Sequence, residues 1–157
     1  MKKPALCPCH SGARYAACCA PFHEGSALPE TPEALMRSRF AGFALGLGEY
    51  LVTTLATPHE DRPLEPVALA RELSRAKDRQ RFLGLRIVHH AMNGDLGEVL
   101  FVARVFERGE DQTFAELSQF VRESGRWGYA SGILIPRDRW SGDGASLTLA
   151  EFRRLTV

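Results

Sequence analysis

All four cysteines of the chain lie within its first twenty residues, and their spacing constrains that segment strongly. Cys7 and Cys9 form one pair, and the adjacent Cys18 and Cys19 form a second. A short turn between the pairs brings four thiolates toward one point, and four thiolates are a complete donor set for a tetrahedral zinc ion. The spacing therefore predicts a small metal-binding knuckle in which these four cysteines are the ligands.

The identity of the metal stays open at this stage because tetrahedral sites of four sulfurs also hold iron. His10 and His23 lie nearby, but four thiols already fill the shell, so we do not expect either imidazole to be a ligand. A disulfide pairing is the rival interpretation. Vicinal cysteines pair only through a strained ring, although cross-pairing between the two pairs is geometrically allowed. A third interpretation is a redox sensor that releases Cys18 or Cys19 as a reactive thiolate when the metal leaves.

Length and composition indicate one ordinary hydrophobic core with a small appendage. The chain has 157 residues, of which 45% are hydrophobic and 25% charged. The net charge of +1 gives no global attraction to nucleic acid or to an anionic membrane. The sequence contains no run of about 18 apolar residues, so it predicts no membrane-spanning helix. Because no apolar stretch of a secretory signal follows the basic start, we expect a cytoplasmic protein with reduced thiols.

The first half beyond the knuckle is predicted to be helical. After a connector at 20–30 that is rich in proline and glycine, Thr31 and Pro32 have the residue types of a helix N-cap and first turn. Apolar residues then recur at steps of three and four until the glycines at 46–48. Two further helices are predicted, at 49–55 and at 66–80.

Two features of this half carry alternative interpretations. Arg37 and Arg39 point about 200° apart on a helix, so one of them lies near the buried stripe. Either one arginine reaches water while the other holds a carboxylate, or one is an anion-binding group in a cavity. In the loop at 57–63, His59 with Glu60 and Asp61 is either a solvated cluster or a metal or acid/base group.

From Phe82 onward the hydrophobic period changes to two. Turn residues separate four predicted strands at about 82–91, 98–107, 113–123 and 127–135, which form an antiparallel meander. Helices followed by such a meander predict an α+β fold with the helices packed on one face of the sheet. Adjacent His89 and His90 point to opposite faces of their strand and cannot act together on one substrate.

Several separated motifs carry a family resemblance. The segment CPCHSGARYAACCAPF at 7–22 resembles the SEC-C metal-binding motif, and LMRSRF at 35–40, FLGL at 82–85, FVAR at 101–104, ELSQF at 116–120 and GRWGY at 125–129 resemble the YchJ family. The resemblance implies a SEC-C zinc knuckle ahead of a cone-shaped cystatin-like domain of the nuclear-transport-factor-two-like (SnoaL-like) class, with helices on a curved antiparallel sheet. We therefore expect a knuckle at 1–25, a cone at 26–136 and a tail at 137–157.

The resemblance also implies a protein partner for the knuckle, of a chaperone-associated or ribosome-associated kind. That expectation is weaker here because alanines and one arginine at 13–17 replace the usual lysines around Tyr15. In the tail, the polar segment 137–145 is predicted to be mobile. A capping-box pattern at 148–151 predicts a last short helix that docks on the cone, covers a sheet edge or makes a dimer contact. Monomer and homodimer are both compatible with the sequence.

The cone offers a candidate ligand site. Glu116, Ser118 and Phe120 share one strand face, and Trp127 and Tyr129 share a face of the next strand. The candidate ligand-binding residues are Arg37, Arg104, Glu116, Trp127 and Tyr129.

Glu116 is the one candidate catalytic residue, because burial among aromatic rings raises a carboxyl pKa into the range of acid/base catalysis. The alternative is a structural glutamate paired with Arg104 or Arg37. No catalytic dyad stands at a reliable spacing, and four thiolates leave no open position for a metal-bound water. The sequence thus favours a metal-binding accessory protein, with a structural or docking knuckle and a cone that binds a protein or small molecule, over an enzyme.

Overall fold

The computed structural model describes residues 3–141 and 146–157. Among the elements bounded within these ranges, short 3-10 helices lie at Tyr15–Ala17 and Arg137–Arg139. The α-helices are α1 (Ala20–Glu24), α2 (Pro32–Leu45), α3 (Gly48–Thr53), α4 (Pro66–Ser74), α5 (Ala76–Arg79) and α6 (Leu149–Leu155), and the strands are β1 (Gln80–Asn93), β2 (Leu96–Glu107), β3 (Glu110–Asp111), β4 (Phe114–Glu123) and β5 (Arg126–Pro136).

The strands form one antiparallel sheet in the order β1-β2-β4-β5, and β3 pairs with the end of β2. The pairing register shifts in β1 between Phe82 and Gly84 and between Ile87 and His89, and again between β4 and β5, where Ala130 of β5 is the extra residue. Such irregularities bend a strand and increase its twist. The helical half and the antiparallel sheet confirm the predicted α+β fold.

The inner face of the sheet packs against α2. The Thr31 hydroxyl caps this helix by accepting from the Ala34 amide at 3.1 Å, and Gly46 ends it in the left-handed conformation. Both termini confirm the sequence prediction. The shared core consists of Leu35, Met36 and Phe40 from α2 with Val99, Phe101, Ala103, Val105, Phe120 and Trp127 from the sheet.

The outer face of the sheet is covered by the C-terminal tail. Alternation along β2 and β4 directs Leu100, Val102, Ala115 and Leu117 to this face, where they pack with Trp140, Leu147 and Phe152. The Thr148 hydroxyl accepts from the Glu151 amide at 3.1 Å and opens α6, as the capping pattern predicts. Within this chain α6 docks on the cone. Residues 142–145 of the segment that we expected to be mobile lie outside the described residues.

Several elements differ from the prediction. The connector expected at 20–30 begins with helix α1, which has Pro21 in its first turn. The helix expected at 66–80 is interrupted at Arg75, whose amide bonds the Glu72 carbonyl three residues back, so that α4 ends in a tightened turn. Gln80 already belongs to β1, and the two-residue β3 was not expected. Across the described ranges, none of the helices is both long and apolar enough to cross a membrane.

Candidate metal centre and cone cavity

The four cysteine sulfurs converge. Their Sγ atoms all lie within 4.8 Å of one another, and all four cysteines are free thiols. The Sγ atoms of Cys9 and Cys18 are 3.6 Å apart, and those of Cys18 and Cys19 are 3.9 Å apart. Sulfurs at the corners of a regular tetrahedron lie about 3.8 Å apart when each metal–sulfur bond is about 2.3 Å. The donor set therefore fits one tetrahedral metal ion.

Local backbone geometry builds this cluster. The Cys7 amide donates to the Ala13 carbonyl at 2.9 Å, which closes the turn between the two cysteine pairs. Within the turn, His10 and Gly12 have φ values of 62° and 86°. The 3-10 helix that begins at Tyr15 then returns Cys18 and Cys19 to the first pair. Tyr15 is buried in the same small core as the cysteines.

The thiols of the cluster differ in their readiness to lose a proton, because hydrogen bonds among them raise the pKa of Cys19 and, together with burial, that of Cys7. The pKa of the Cys9 thiol is strongly lowered because the Cys19 and Cys7 thiols donate hydrogen bonds to its sulfur. The Ser11 hydroxyl lies 3.3 Å from the Cys18 sulfur. The thiolate is the form of cysteine that binds metals, and Cys9 is the cysteine of the cluster whose surroundings stabilise that form.

The knuckle is bound tightly to the cone. Nη1 of Arg37 donates to the Cys9 carbonyl at 3.2 Å, and Nε2 of His10 lies 3.1 Å from the Phe82 carbonyl. Nε2 of His23 donates to the Ser38 carbonyl at 2.8 Å, while its Nδ1 accepts from the Tyr15 hydroxyl at 2.6 Å. Both histidines thus use ring nitrogens on groups other than the thiols, as the ligand count predicts.

The knuckle also shares apolar contacts with α2. Ala41 is fully buried in the cysteine cluster's core, and Leu45 packs against it. Arg37 is held in place by Glu33, which accepts from its Nε at 3.1 Å and also lies 3.2 Å from Nε2 of His90 on β1. One chain of polar contacts therefore joins the sheet, α2 and the knuckle.

His59 forms no metal cluster in the described part of the chain. Its Nδ1 accepts from the Asp61 amide at 3.0 Å, and its ring centroid lies 5.2 Å from that of Tyr129. Burial lowers the pKa of His59. The cysteines are the sole group of three or more potential ligands found among the described residues.

A cavity of about 200 Å³ opens between α2 and the inner face of the sheet. Most of its wall is aromatic and includes Phe40, Phe82, Phe101 and Phe120. Three polar side chains besides Tyr129 reach this wall: Arg39, Glu116 and Ser118. The cavity therefore combines an apolar body with a small polar region.

Glu116 is the centre of the polar region. Its Oε2 atom accepts hydrogen bonds from the Ser118 hydroxyl at 2.5 Å and from the Tyr129 hydroxyl at 2.7 Å. The pKa of Tyr129 is raised, first by burial and then by the nearby Glu116 charge, so its hydroxyl stays protonated and donates. A Cβ at Gly132 would lie 2.3 Å from Oε2 and 2.6 Å from the Tyr129 oxygen, so this arrangement requires glycine there.

Arg39 brings a buried positive charge to the cavity. Only 8% of the residue is exposed. Its Nη1 donates to the Leu51 carbonyl at 2.7 Å and to the Thr54 hydroxyl at 2.5 Å, and its guanidinium lies 5.0 Å from the centroid of the Tyr129 ring. Burial lowers the pKa of Arg39 to about 10, a value that leaves the side chain cationic at neutral pH.

The structure brings together some of the predicted cone residues and separates others. Glu116 and Tyr129 meet in the cavity. Arg37 lies at the knuckle instead, and Arg104 is exposed on β2 beside Phe106, so neither pairs with Glu116. Trp127 is buried in the core, where its Nε1 donates to the Glu30 carbonyl. Arg39, rather than Arg37, is the arginine of α2 that faces the core and lines the cavity.

Comparison with known proteins covers both parts of the chain. A family model described as "YchJ, middle NTF2-like domain" matches residues 31–132, and the SEC-C motif model matches residues 4–21. The chain is 36% identical to a UPF0225 protein YchJ from Shigella dysenteriae serotype 1, covering 81% of this chain and 82% of that one. It is 42% identical to a UPF0225 protein from Deinococcus radiodurans, covering 78% and 85%.

A solved structure of a related protein has a similar fold over most of this chain. The solution structure of a SEC-C motif containing protein from Rhodopseudomonas palustris is 36% identical to this chain, with a TM-score of 0.71. The match covers 81% of this chain and 96% of that one.

Proposed function

Because the chain belongs to the YchJ family and carries a SEC-C motif ahead of an NTF2-like domain, we propose that it is a zinc-binding accessory protein with a ligand-binding cone. In this proposal the knuckle is a permanent structural part of the molecule, and the cone holds a small molecule. The observation that carries the metal assignment is the convergence of four free cysteine sulfurs within 4.8 Å.

Zinc is the metal we assign to the cysteine cluster. A closed shell of four thiolates is typical of structural zinc sites, which have no position left for water or substrate. Zinc in such a shell supplies cross-linking and charge neutralisation, and the surrounding side chains perform the rest of the stabilisation. This chemistry also explains why the knuckle can be so small, since metal binding supplies the folding free energy that a tiny core lacks.

Elemental analysis of protein purified without added metal tests this assignment. We expect one zinc per chain, and thiols that react with a disulfide reagent only after chelation. Cys9→Ser should lose the metal, whereas Ser11→Ala, which removes only the hydroxyl beside Cys18, should retain it. Stoichiometric iron would overturn the zinc assignment, and a metal-free protein with unreactive thiols would overturn the metal site.

The contacts of the knuckle favour a structural role over a docking role. Three hydrogen bonds, from Arg37, His10 and His23, and the apolar contact with Ala41 attach it to the cone. In a knuckle that docks on another protein, we would expect these hydrogen-bonding and apolar groups to be exposed and available to the partner. A protein partner of the chaperone-associated or ribosome-associated kind would have to use the remaining exposed side of the knuckle.

An enzymatic cone is the second candidate function. It is favoured by the position of Glu116, whose carboxylate lies in an aromatic cavity with Oε1 free of any partner among the described residues. Glu116→Gln separates the two roles. A large loss of folding stability supports a scaffold glutamate, whereas unchanged stability with altered ligand binding supports a site.

A thiol redox sensor is a third candidate function. Cys18 would be the cysteine that an oxidant attacks first, because it is partly exposed and the other three cysteines are buried. Release of metal at a small molar excess of peroxide would support it. Inert protein under those conditions would exclude it.

A further inference from the structure

The guanidinium of Arg39 has hydrogen-bonding capacity that the protein does not use. Its Nη1 is engaged by Leu51 and Thr54, but within the described ranges Nε and Nη2 have no hydrogen-bond partner, and the side chain forms no ion pair. The residue is more than nine-tenths buried and lines the cavity. Glu116 acts on this charge at longer range, without an ion pair, so an anion placed against these nitrogens would be bound favourably.

The rest of the cavity selects the shape of such an anion. The wall is built from phenylalanine rings, and Phe40 and Phe82 meet edge to face with their centroids 5.7 Å apart. Flat aromatic ligands pack well against rings in offset or edge contacts. The volume of about 200 Å³ is below the about 300 Å³ at which drug-sized ligand pockets begin, which indicates a ligand with a single ring.

Glu116 indicates that the ligand also carries a hydrogen-bond donor. One of its oxygens is occupied by Ser118 and Tyr129, and the other has no partner in the described part of the chain. An ionised carboxylate only accepts hydrogen bonds, so it repels a bare anion and favours a ligand that also carries a donor. Tyr129 links the two charged groups, since Arg39 lies over its ring and Glu116 accepts from its hydroxyl.

We propose that the cone binds a small aromatic carboxylate that also carries a hydroxyl group, with the ligand carboxylate on Arg39, its ring among the phenylalanines and its hydroxyl donating to Glu116. This inference rests on the proposed ligand-binding role of the cone and names the class of ligand. It is independent of the metal assignment.

Binding of simple one-ring probes tests the proposal. The 2-, 3- and 4-hydroxybenzoates are titrated into the metal-loaded full-length protein by calorimetry, with benzoate and the corresponding hydroxybenzamides as comparison ligands. We expect at least one hydroxybenzoate to bind about tenfold or more tightly than its amide, because only the carboxylate forms a charge-assisted bond with arginine. We also expect it to bind several-fold more tightly than benzoate.

Variants assign these preferences to residues. Arg39→Gln should abolish the preference for carboxylate over amide, and Arg104→Gln, a change at an exposed arginine outside the cavity, should leave it intact. Because Arg39 also holds the end of α3, its variant is first checked for folding by circular dichroism. Glu116→Gln leaves Arg39 in place and should reduce only the preference for hydroxybenzoate over benzoate.

The outcomes are distinguishable. Equal affinity for acid and amide, or no binding of any hydroxybenzoate at about 5 mM, overturns the ligand class. If the neutral hydroxybenzamides bind under those conditions and the hydroxybenzoates do not, the ligand-binding role of the cone stands while the assigned ligand class falls. If no probe of either kind binds, the ligand-binding role of the cone falls as well, and zinc content is unaffected.

Discussion

At the scale of single residues, the cavity depends on the absence of a side chain at Gly132. This residue pairs with Ser118 across β4 and β5, directly beside Glu116 and Tyr129. Any Cβ there would occupy the space of the Glu116 carboxylate. The position of the carboxylate is therefore determined by a glycine that itself makes no polar side-chain contact.

Gly132→Ala should displace the Glu116 carboxylate and break at least one of its two hydrogen bonds. We expect a loss of about 1 kcal/mol in the free energy of unfolding, measured by urea denaturation. Gly84→Ala is the matched control, because a Cβ at this strand position meets only ordinary contacts with Arg104, the nearest at 3.5 Å. A Gly132→Ala protein that is as stable as the control and binds cavity ligands normally would contradict this account.

His59 should contribute to acid sensitivity. Burial lowers its pKa, with Asp61 and Glu60 opposing and Arg39 reinforcing the shift. The folded protein therefore binds this proton less readily than the unfolded chain. The stabilising contribution of the neutral ring is complete above the unfolded pKa of about 6.5 and is lost as the pH falls through the lower folded pKa.

His59→Gln should therefore lose less stability than the parent protein when the pH is lowered from about 7.5 to about 5. Urea midpoints at the two pH values measure this difference. An acid loss as large in the variant as in the parent would show that His59 is not among the responsible groups.

At the scale of elements, α6 completes the outer core of the sheet. Phe152 is fully buried there with Leu100 and Leu147, while Leu155 at the end of the same helix is only partly buried. Without α6 this apolar face would be open to solvent. The tail is thus part of the folded domain.

Phe152→Ala should destabilise the protein by about 3–5 kcal/mol, the usual cost of removing a buried aromatic ring and leaving a cavity. Leu155→Ala is the control on the same helix and should cost clearly less. Thermal unfolding followed by circular dichroism compares the two. Equal and small losses would mean that α6 is not anchored on the sheet as described.

At the scale of the whole molecule, the knuckle and the cone form one interlocked structure. Arg37 connects the carbonyl of Cys9, one of the four converging cysteines, to Glu33 on α2, and Glu33 contacts His90 on the sheet. Groups that hold ligating residues in place commonly change metal affinity when they are removed. Metal retention should therefore depend on residues of the cone.

Arg37→Ala should weaken metal binding by about tenfold, measured by competition with a chromophoric chelator. Arg104→Ala removes an arginine that makes no contact with the knuckle and should leave metal affinity unchanged. Identical chelator competition curves for the two variants would show that the knuckle holds its metal independently of the cone.

Much of this architecture was predictable because the decisive signals are local. The cysteine spacing alone identified the converging thiols, and strand alternation placed Glu116 with Ser118 on one strand face and Tyr129 with Trp127 on a face of the next strand. Periodicity alone left Arg37 and Arg39 as alternatives. The choice depends on the rotation of α2, which brings Arg39 to the Leu51 carbonyl and Thr54. The break at Arg75 and the need for Gly132 likewise arise from tertiary contacts.

His10 belongs to both sites at once. It follows Cys9 in the turn between the two cysteine pairs. Its ring packs against Phe40, and its Nε2 atom lies near the Phe82 carbonyl; both phenylalanines line the cavity. Thermodynamic reciprocity requires that a ligand which changes metal affinity through this wall has its own affinity changed by the metal by the same factor. One imidazole is thus the shared contact through which the occupancy of one site would be felt at the other.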